Sequence, residues 1–452
     1  MNFKFENLGT IEFADIAVEG LTVITGLNDT GKSFLGKSIF SIVKTINGAE
    51  KFNALSKRTQ INQIANQIFT QHRQYVGFTS EKINKFHPSV LGNIAYPARF
   101  FEDEKKKIET ETEIIKNVQT HIASIIDDLT NSTKGVSVPI STQIQETIKS
   151  IQLFKDRIID IIKEPTSQEK KYKKYFDEQI IQRFFQLQLN SIDNADSTLN
   201  IEVKAGVNQV IHVKIKGNNT EEFNKSQPFL INDATIIETP TIIQLEAFIS
   251  NSFFPDIEYQ DRSDLPFHYS DLVRKIKVPV GSIDPKFNGV YEKIRKIING
   301  EFRINLNTGG SIEYWKDDKT PIKPSNVASG IKSFGLLQML IKSNYIGLEK
   351  YLIIDEPEVH LHPQWENHYA DIIVELALLG IKIIISSHSP YFLRKIRAAV
   401  IANKEAEKIT EFYWGQKNEN GKSKFERVTD NPEIVFKALA EAMSATAYPK
   451  KK

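Results

Sequence analysis

Cysteine is absent from the 452 residues. That excludes disulfides, thiolate zinc sites and cysteine nucleophiles, and a reducing cytoplasm is the expected compartment. Also lacking is any unbroken apolar run approaching roughly 20 residues, the length a membrane-spanning helix needs. No transmembrane helix and no membrane partner are therefore expected. The N-terminus does not resemble a signal peptide, because Glu6, Glu12 and Asp15 fall where an apolar core would be required. A large excess of one charge is missing too: 58 Lys and Arg against 56 Asp and Glu leave a formal net charge of +2. Such a sum neither demands nor excludes nucleic acid, since binding depends on a local patch. Lysine runs at Lys105 to Lys107, Lys170 to Lys174 and Lys450 to Lys452 are candidate patches, with a solvated face as the alternative.

What is present suits a folded, multi-lobed protein, with 40% hydrophobic and 25% charged residues. FKFENLGTIEF and GLTVITG read as short strands, the second feeding a glycine-rich turn and then the helix SFLGKSIFSIVKTI. From about Phe101, Ile108, Ile115, Val118, Ile122, Ile125 and Leu129 recur with heptad-like spacing. NSTKGVSVP breaks that period, and Ile144, Ile148, Ile151, Ile158 and Ile162 rebuild it before Pro165. An antiparallel helical hairpin is expected, with ordinary core helices of a globular lobe as the other reading. STLNIEVKAG and NQVIHVKIKG follow as a β-hairpin, then helices around 241–252 and 287–299 and a strand pair in EFRINLNTGGSIEYW. From Asn326 onward, helices alternate with the buried strands YLIIDE and IKIIISS, the pattern of a parallel sheet with crossovers.

Two local sequences carry chemistry. Gly26-Leu27-Asn28-Asp29-Thr30-Gly31-Lys32-Ser33 fits G-x-x-x-x-G-K-[ST] between a strand and a helix. Glycines let backbone N–H groups curl around phosphates, Lys32 reaches the β/γ oxygens, the Ser33 hydroxyl can bind Mg²⁺, and the helix N-terminus adds its positive end. Such a loop needs an acid at the end of a strand of the same sheet. Asp355 and Glu356 supply it after Tyr351-Leu352-Ile353-Ile354: Asp355 for the metal shell, Glu356 to orient or deprotonate the attacking water. On the next buried strand, Ser386-Ser387-His388-Ser389-Pro390 places His388 where it can sense a γ-phosphate.

With these motifs the sequence resembles the ATP-binding-cassette (ABC) class of P-loop ATPases. DEPEVHLHP and SSHSP are similar to its non-transporter branch: the overcoming-lysogenization-defect family, the SMC proteins and the double-strand-break-repair ATPases. The likeness covers roughly the first 45 residues and Ser325 to Arg397. It implies an α/β P-loop NTPase of ABC type, a mixed and parallel sheet flanked by helices, with an inserted helical hairpin. The expected divisions are an N-terminal part of the ATPase head (1–100), the insertion (101–190), β-hairpins and helices of the head (191–320) and its C-terminal part (321–452). ATP and Mg²⁺ are the implied cofactors, and Gly26, Asn28, Asp29, Thr30, Gly31, Lys32, Ser33 and Phe34 the implied nucleotide contacts. Ser33 and Asp355 would hold the metal; Lys32, Glu356 and the switch histidine His388 would be catalytic. Ala328-Ser329-Gly330-Ile331-Lys332-Ser333 corresponds to the signature loop that caps the nucleotide of an opposite subunit. Ile331 and Lys332 depart from its usual glycine and glutamine, and Ser329 can also be read as a plain helix N-cap. The Q-loop glutamine has no clear counterpart among Gln60 to Gln74.

An ATP-sandwiched homodimer or higher homo-oligomer is the implied assembly. Roughly 55 residues follow Arg397, too few for the Toprim nuclease usual in the overcoming-lysogenization-defect family. The tail EKITEFYWGQKNENGKSKFERV reads as a strand hairpin closing the sheet. A separate nuclease or toxin effector is therefore expected, as in anti-phage defence ATPases of the PARIS and Septu types. A DNA-repair or DNA-end-processing ATPase that binds duplex directly is the alternative, and a slowly turning-over scaffold a third. His360 and His362 read either as metal ligands or as a loop facing the other subunit.

Overall fold

The computed structural model describes residues 1–75, 85–95, 111–134, 137–189, 198–251, 266–278, 282–317 and 320–439. Two compact units account for the chain: residues 1–47 with 172–452, and residues 48–171.

The first unit is built on an eleven-stranded sheet. Its strands are β1 Asn2–Leu8, β2 Ile11–Ala17, β3 Leu21–Gly26, β4 Thr198–Ala205, β5 Asn208–Lys216, β6 Asn219–Lys225 and β7 Asp233–Ile237. A separate three-stranded sheet holds β8 Gly300–Asn305, β9 Ser311–Lys316 and β10 Thr320–Ile322. The main sheet is completed by β11 Lys350–Asp355, β12 Lys382–Ser387, β13 Thr410–Lys417 and β14 Ser423–Arg427, in the order β6-β5-β4-β1-β2-β14-β13-β3-β12-β11-β7. β13, β3, β12, β11 and β7 run parallel, and the hairpins at the β6 end are antiparallel. The parallel strands are nearly continuous apolar runs because both faces are covered: β3 is buried throughout. β4 instead alternates buried and partly exposed residues, as a strand covered on one face should.

The C-terminal hairpin forms as expected; β14 pairs with β2 and β13 with β3, so it sits inside the sheet. Phe412, Tyr413 and Trp414 are buried, which suits an interior strand. β7 is a strand beyond those read from the sequence; it pairs in parallel with β11.

Among the described residues the α-helices are α1 Lys32–Arg73, α2 Pro88–Ala95, α3 Glu111–Asn131, α4 Val138–Lys163, α5 Gln168–Tyr175, α6 Glu246–Asn251, α7 Phe267–Ile276, α8 Asn288–Ile298, α9 Ser329–Lys342, α10 Pro363–Leu378, α11 Pro390–Ile401 and α12 Lys404–Lys408. α7 to α11 share one apolar core with β3, β11 and β12.

In the second unit, Val118, Ile122, Ile125 and Leu129 of α3 are buried with Ile144, Ile151, Ile158 and Ile162 of α4. The two helices follow each other in the chain and pack together, as the interrupted heptad period predicts. The expected start of this period at 101–110 lies outside the described residues. The pair is not alone: Ile61, Ile64 and Ile68 of α1 and Leu91 of α2 enter the same core, and His72 Nε2 lies 3.0 Å from Asp128 Oδ2. The two compact units divide at residues 47/48 and 171/172.

Candidate active site

The site forms where β3, β12, β11 and β7 end side by side. β3 leads into an exposed turn at Leu27, Asn28 and Asp29 and then into α1. Gly31 has φ +90°, and a Cβ there would meet Ile11 at 2.7 Å, so only glycine fits. Gly26 is constrained from its other side, where a Cβ would lie 2.8 Å from the Gly415 carbonyl oxygen. Asp29 is left-handed at φ +59°, and its carboxylate pairs with Lys417 at 2.6 Å. Thr30 turns inward and donates to the Leu27 carbonyl at 2.9 Å.

Lys32 is 5% exposed and donates to the carbonyls of Gly26 (3.1 Å) and Leu27 (2.9 Å), closing the loop on its own ammonium group. Burial lowers its pKa, against the pull of Glu356, Asp355 and Glu358. Ser33 Oγ donates to Asp355 Oδ1 at 3.0 Å, and Ser386 Oγ donates to the same oxygen. Burial raises the Asp355 pKa, opposed by those two hydrogen bonds and reinforced by Glu238 and Glu356. A hydroxyl beside a carboxylate is a hard-oxygen donor pair and fits Mg²⁺. Phe34 packs away from the loop, its ring against Phe185 at 4.9 Å, so only its backbone N–H is left for a nucleotide.

Glu356 and His388 meet across the ends of β11 and β12, with Oε1 and Nδ1 2.9 Å apart. Glu356 has φ 45° and ψ 55°, and its N–H donates to the Ser386 carbonyl at 2.9 Å. Each serine of SSHSP makes a different contact. Ser386 binds Asp355, Ser387 binds Glu358 at 2.7 Å, and Ser389 caps α11 by accepting from Phe392 N at 3.3 Å.

Ser329 and Gly330 are not among the residues lining the small cavity between Lys32, Ser33 and Asp355. They open α9, where the N-cap is Ala328 with no side-chain hydrogen bond, so Ser329 is not the cap. Gly330 rests on Trp365, and Lys332 turns inward to Gln244 at 2.8 Å. His362 is the N-cap of α10, its Nδ1 accepting from Gln364 N at 3.3 Å. His360 is half-buried, its pKa lowered by burial and by Lys332. Among the described residues no group of three or more His, Asp or Glu side chains converges as a metal site of its own.

Sequence reasoning missed Glu238. It follows β7, lines the cavity beside Asp355, and is held by Lys37 at 2.6 Å, His268 at 2.8 Å and the Tyr269 hydroxyl at 3.0 Å. Burial would raise its pKa, but His268 and Lys37 draw it down to about 2. A signal existed: Ala234-Thr235-Ile236-Ile237 runs into Glu238 much as Tyr351 to Ile354 runs into Asp355. Gln60 to Gln74 fall in the second unit.

A phosphate-type loop whose lysine and serine face the acidic tip of a parallel strand defines a P-loop ATPase domain, and this fold implies nucleotide binding. The chain belongs to the family described as "AAA domain, putative AbiEii toxin, Type IV TA system", whose model matches residues 151–394. The matched stretch holds Ser329, Asp355, Glu356 and His388 and begins after the Lys32 loop. No curated protein matches the chain. Among solved structures it is similar to the SMC head domain from Thermotoga maritima, at 11% identity and TM-score 0.37, covering 94% of this chain and 98% of that one. It is also similar to the Smc head domain with an extended coiled coil bound to the C-terminal domain of ScpA from Pyrococcus furiosus, at 13% identity and TM-score 0.34, covering 98% of each. No described helix is long and apolar enough to cross a membrane.

Proposed function

We propose that this chain hydrolyses ATP as an ABC-type ATPase whose ATP-dependent head-to-head dimerisation controls a separate nuclease or toxin effector in bacterial anti-phage defence. The observation that carries the hydrolytic half is the double pairing of Ser33 with Asp355 and of Glu356 with His388 at neighbouring strand ends. Lys32 leaves its carbonyl partners for the β/γ oxygens, and Glu356 takes the proton of the attacking water. Ser33 and Asp355 would hold Mg²⁺, which would supply charge neutralisation to the phosphates. His388 faces the γ-phosphate. The uncapped first turn of α9, with Ser329 and Gly330, offers its N–H groups to the nucleotide of a second copy. The resemblance to the overcoming-lysogenization-defect branch and to PARIS- or Septu-type ATPases supports the effector half, as does a family description that names a toxin–antitoxin system.

The test is turnover and size with and without ATP. Wild-type protein should hydrolyse ATP, Glu356→Gln should lose about 100-fold or more of that rate and accumulate as a dimer with ATP, and Lys32→Ala should neither bind nor dimerise. A Glu356→Gln protein that stays monomeric with saturating ATP overturns the sandwich. Duplex DNA should leave turnover unchanged; stimulation that fades as salt rises would instead favour direct DNA binding.

A further inference from the structure

The DEPE sequence contains a third carboxylate with no part in the reaction as described. After Glu356 the chain makes a 3-10 turn, Pro357–His360, which brings Glu358 back into the protein with 8% of its surface exposed. Its Oε1 accepts from Ser387 Oγ at 2.7 Å, and Ser387 is fully buried. Its Oε2 is buried and has no hydrogen-bond partner among the described residues. A buried carboxylate oxygen left unsatisfied is costly, and a native fold retains one only where something else is gained. Burial raises the pKa of this group, against the hydrogen bond from Ser387 and the pull of His388.

What lies beside it is His388. The ring Nδ1 is 2.9 Å from Glu356 Oε1 and 3.9 Å from Glu358 Oε1. Glu356 therefore has two roles that compete. His388 Nδ1 holds the Glu356 carboxylate through Oε1, and swinging that carboxylate toward an attacking water stretches the Nδ1 contact. A histidine released by its only acceptor would lose both its tautomer and its aim.

We propose that Glu358 is the positioning residue for His388: when Glu356 turns to the water, Glu358 takes over the Nδ1–H, so that Nε2 stays directed at the γ-phosphate. The displacement required is small, since a contact of 3.9 Å must shorten only to a hydrogen bond of about 2.9 Å. Ser387 fixes the receiving carboxylate, and its neighbour Ser386 carries the carbonyl that holds the Glu356 backbone. DEPE and SSHSP thus form one interlocked unit. The proposal rests on the ATPase reading, but its main measurement does not require turnover.

That measurement is the ring state of His388 in protein labelled with ¹⁵N-histidine and loaded with Mg²⁺ and a non-hydrolysable ATP analogue. Wild type should show a single Nδ1-protonated tautomer, and Glu358→Gln a mixture. An unchanged His388 spectrum in Glu358→Gln overturns the proposal. The kinetic counterpart is a loss in kcat of about 10- to 100-fold for Glu358→Gln, the usual effect of removing the group that orients a functional histidine. KM for ATP should stay within about twofold, and Glu358→Asp should recover part of the rate. In a His388→Ala background Glu358→Gln should cost nothing further; an equal loss there also overturns the proposal. Ser387→Ala, which loosens Glu358 without removing it, should give a weaker loss of the same kind and serves if Glu358→Gln does not fold. A wild type with no turnover would sink the ATPase reading while the ring spectrum still decided the role of Glu358.

Discussion

Glu356 is held at φ 45° and ψ 55°, a left-handed conformation that costs a non-glycine residue about 1–2 kcal/mol. The Ser386 carbonyl helps hold it by taking the Glu356 N–H at 2.9 Å, and Pro357 closes off the right-handed helical alternative at the residue before it. The strain lies on the residue proposed as the base, where surrounding structure can hold an unfavourable backbone for function. Glycine would relieve it but would add about 0.4–1 kcal/mol of chain entropy to the unfolded state. Glu356→Gly should therefore be more stable than Glu356→Ala by about 0.5–1 kcal/mol, both having lost the His388 pair; urea midpoints check this, and an Ala variant as stable as the Gly variant would mean the turn is unstrained. The contrast in legibility at this scale follows from distance along the chain. Lys32 and Ser33 are spelled within eight consecutive residues, and the strand–loop–helix shape is local. Glu238 reaches the cavity only because β7 pairs with β11, a contact no local pattern announces. Glu358 stands in plain view in DEPE, but its inward direction is set by the turn after Pro357.

At the scale of elements, α1, β7 and α7 are fastened by buried charge. Lys44 Nζ lies 2.5 Å from Asp233 and 2.8 Å from Asp271, and Lys275 Nζ lies 2.8 Å from each of the same aspartates. Asp271 and Lys275 are each 1% exposed. Burial would raise the Asp271 pKa, but Lys275 and Lys44 overcome it and hold the carboxyl well below its ordinary value. A folded-state pKa below the unfolded value of about 3.9 gives stability that is present above that pH and is lost as pH falls toward the folded value. Asp271→Asn should cost about 3–5 kcal/mol at neutral pH, because it strands buried ammonium groups. Its urea midpoint should also depend less on pH below about 4 than that of wild type, and a midpoint at neutral pH equal to wild type would show that the network is solvated. The start of α1 was legible from its apolar spacing, whereas α7 and the network were not. Its lysines and aspartates look like any solvated charge until β7 is seen to be a strand.

Across the whole molecule, the last strands complete the sheet at its first functional turn. β13 runs beside β3 from Thr410 opposite Leu21 to Gly415 opposite Gly26, where the phosphate-type loop begins. TEFYW and KFER on either side of a polar, glycine-containing turn announce a hairpin, but a local pattern cannot say which neighbours it takes, because strand order is a property of distant pairings. Here it takes two at once, β2 and β3, and joins the antiparallel hairpins to the parallel core. The join is tight: a Cβ on Gly415 would meet the buried ring of Phe425 at 2.5 Å, and one on Gly20 would meet the Ile409 carbonyl oxygen at 2.5 Å. Gly415→Ala should therefore destabilise the protein by about 1–3 kcal/mol, the usual cost of overpacking. Because Gly415 faces Gly26, the same variant should bind a fluorescent ATP analogue more weakly than wild type under conditions where both are folded. Lys417→Ala removes only an exposed pair with Asp29, worth about 0–1 kcal/mol, and should leave the urea midpoint close to wild type. Equal midpoints for Gly415→Ala and wild type would show that the hairpin can shift to make room, and that the loop is shaped without it.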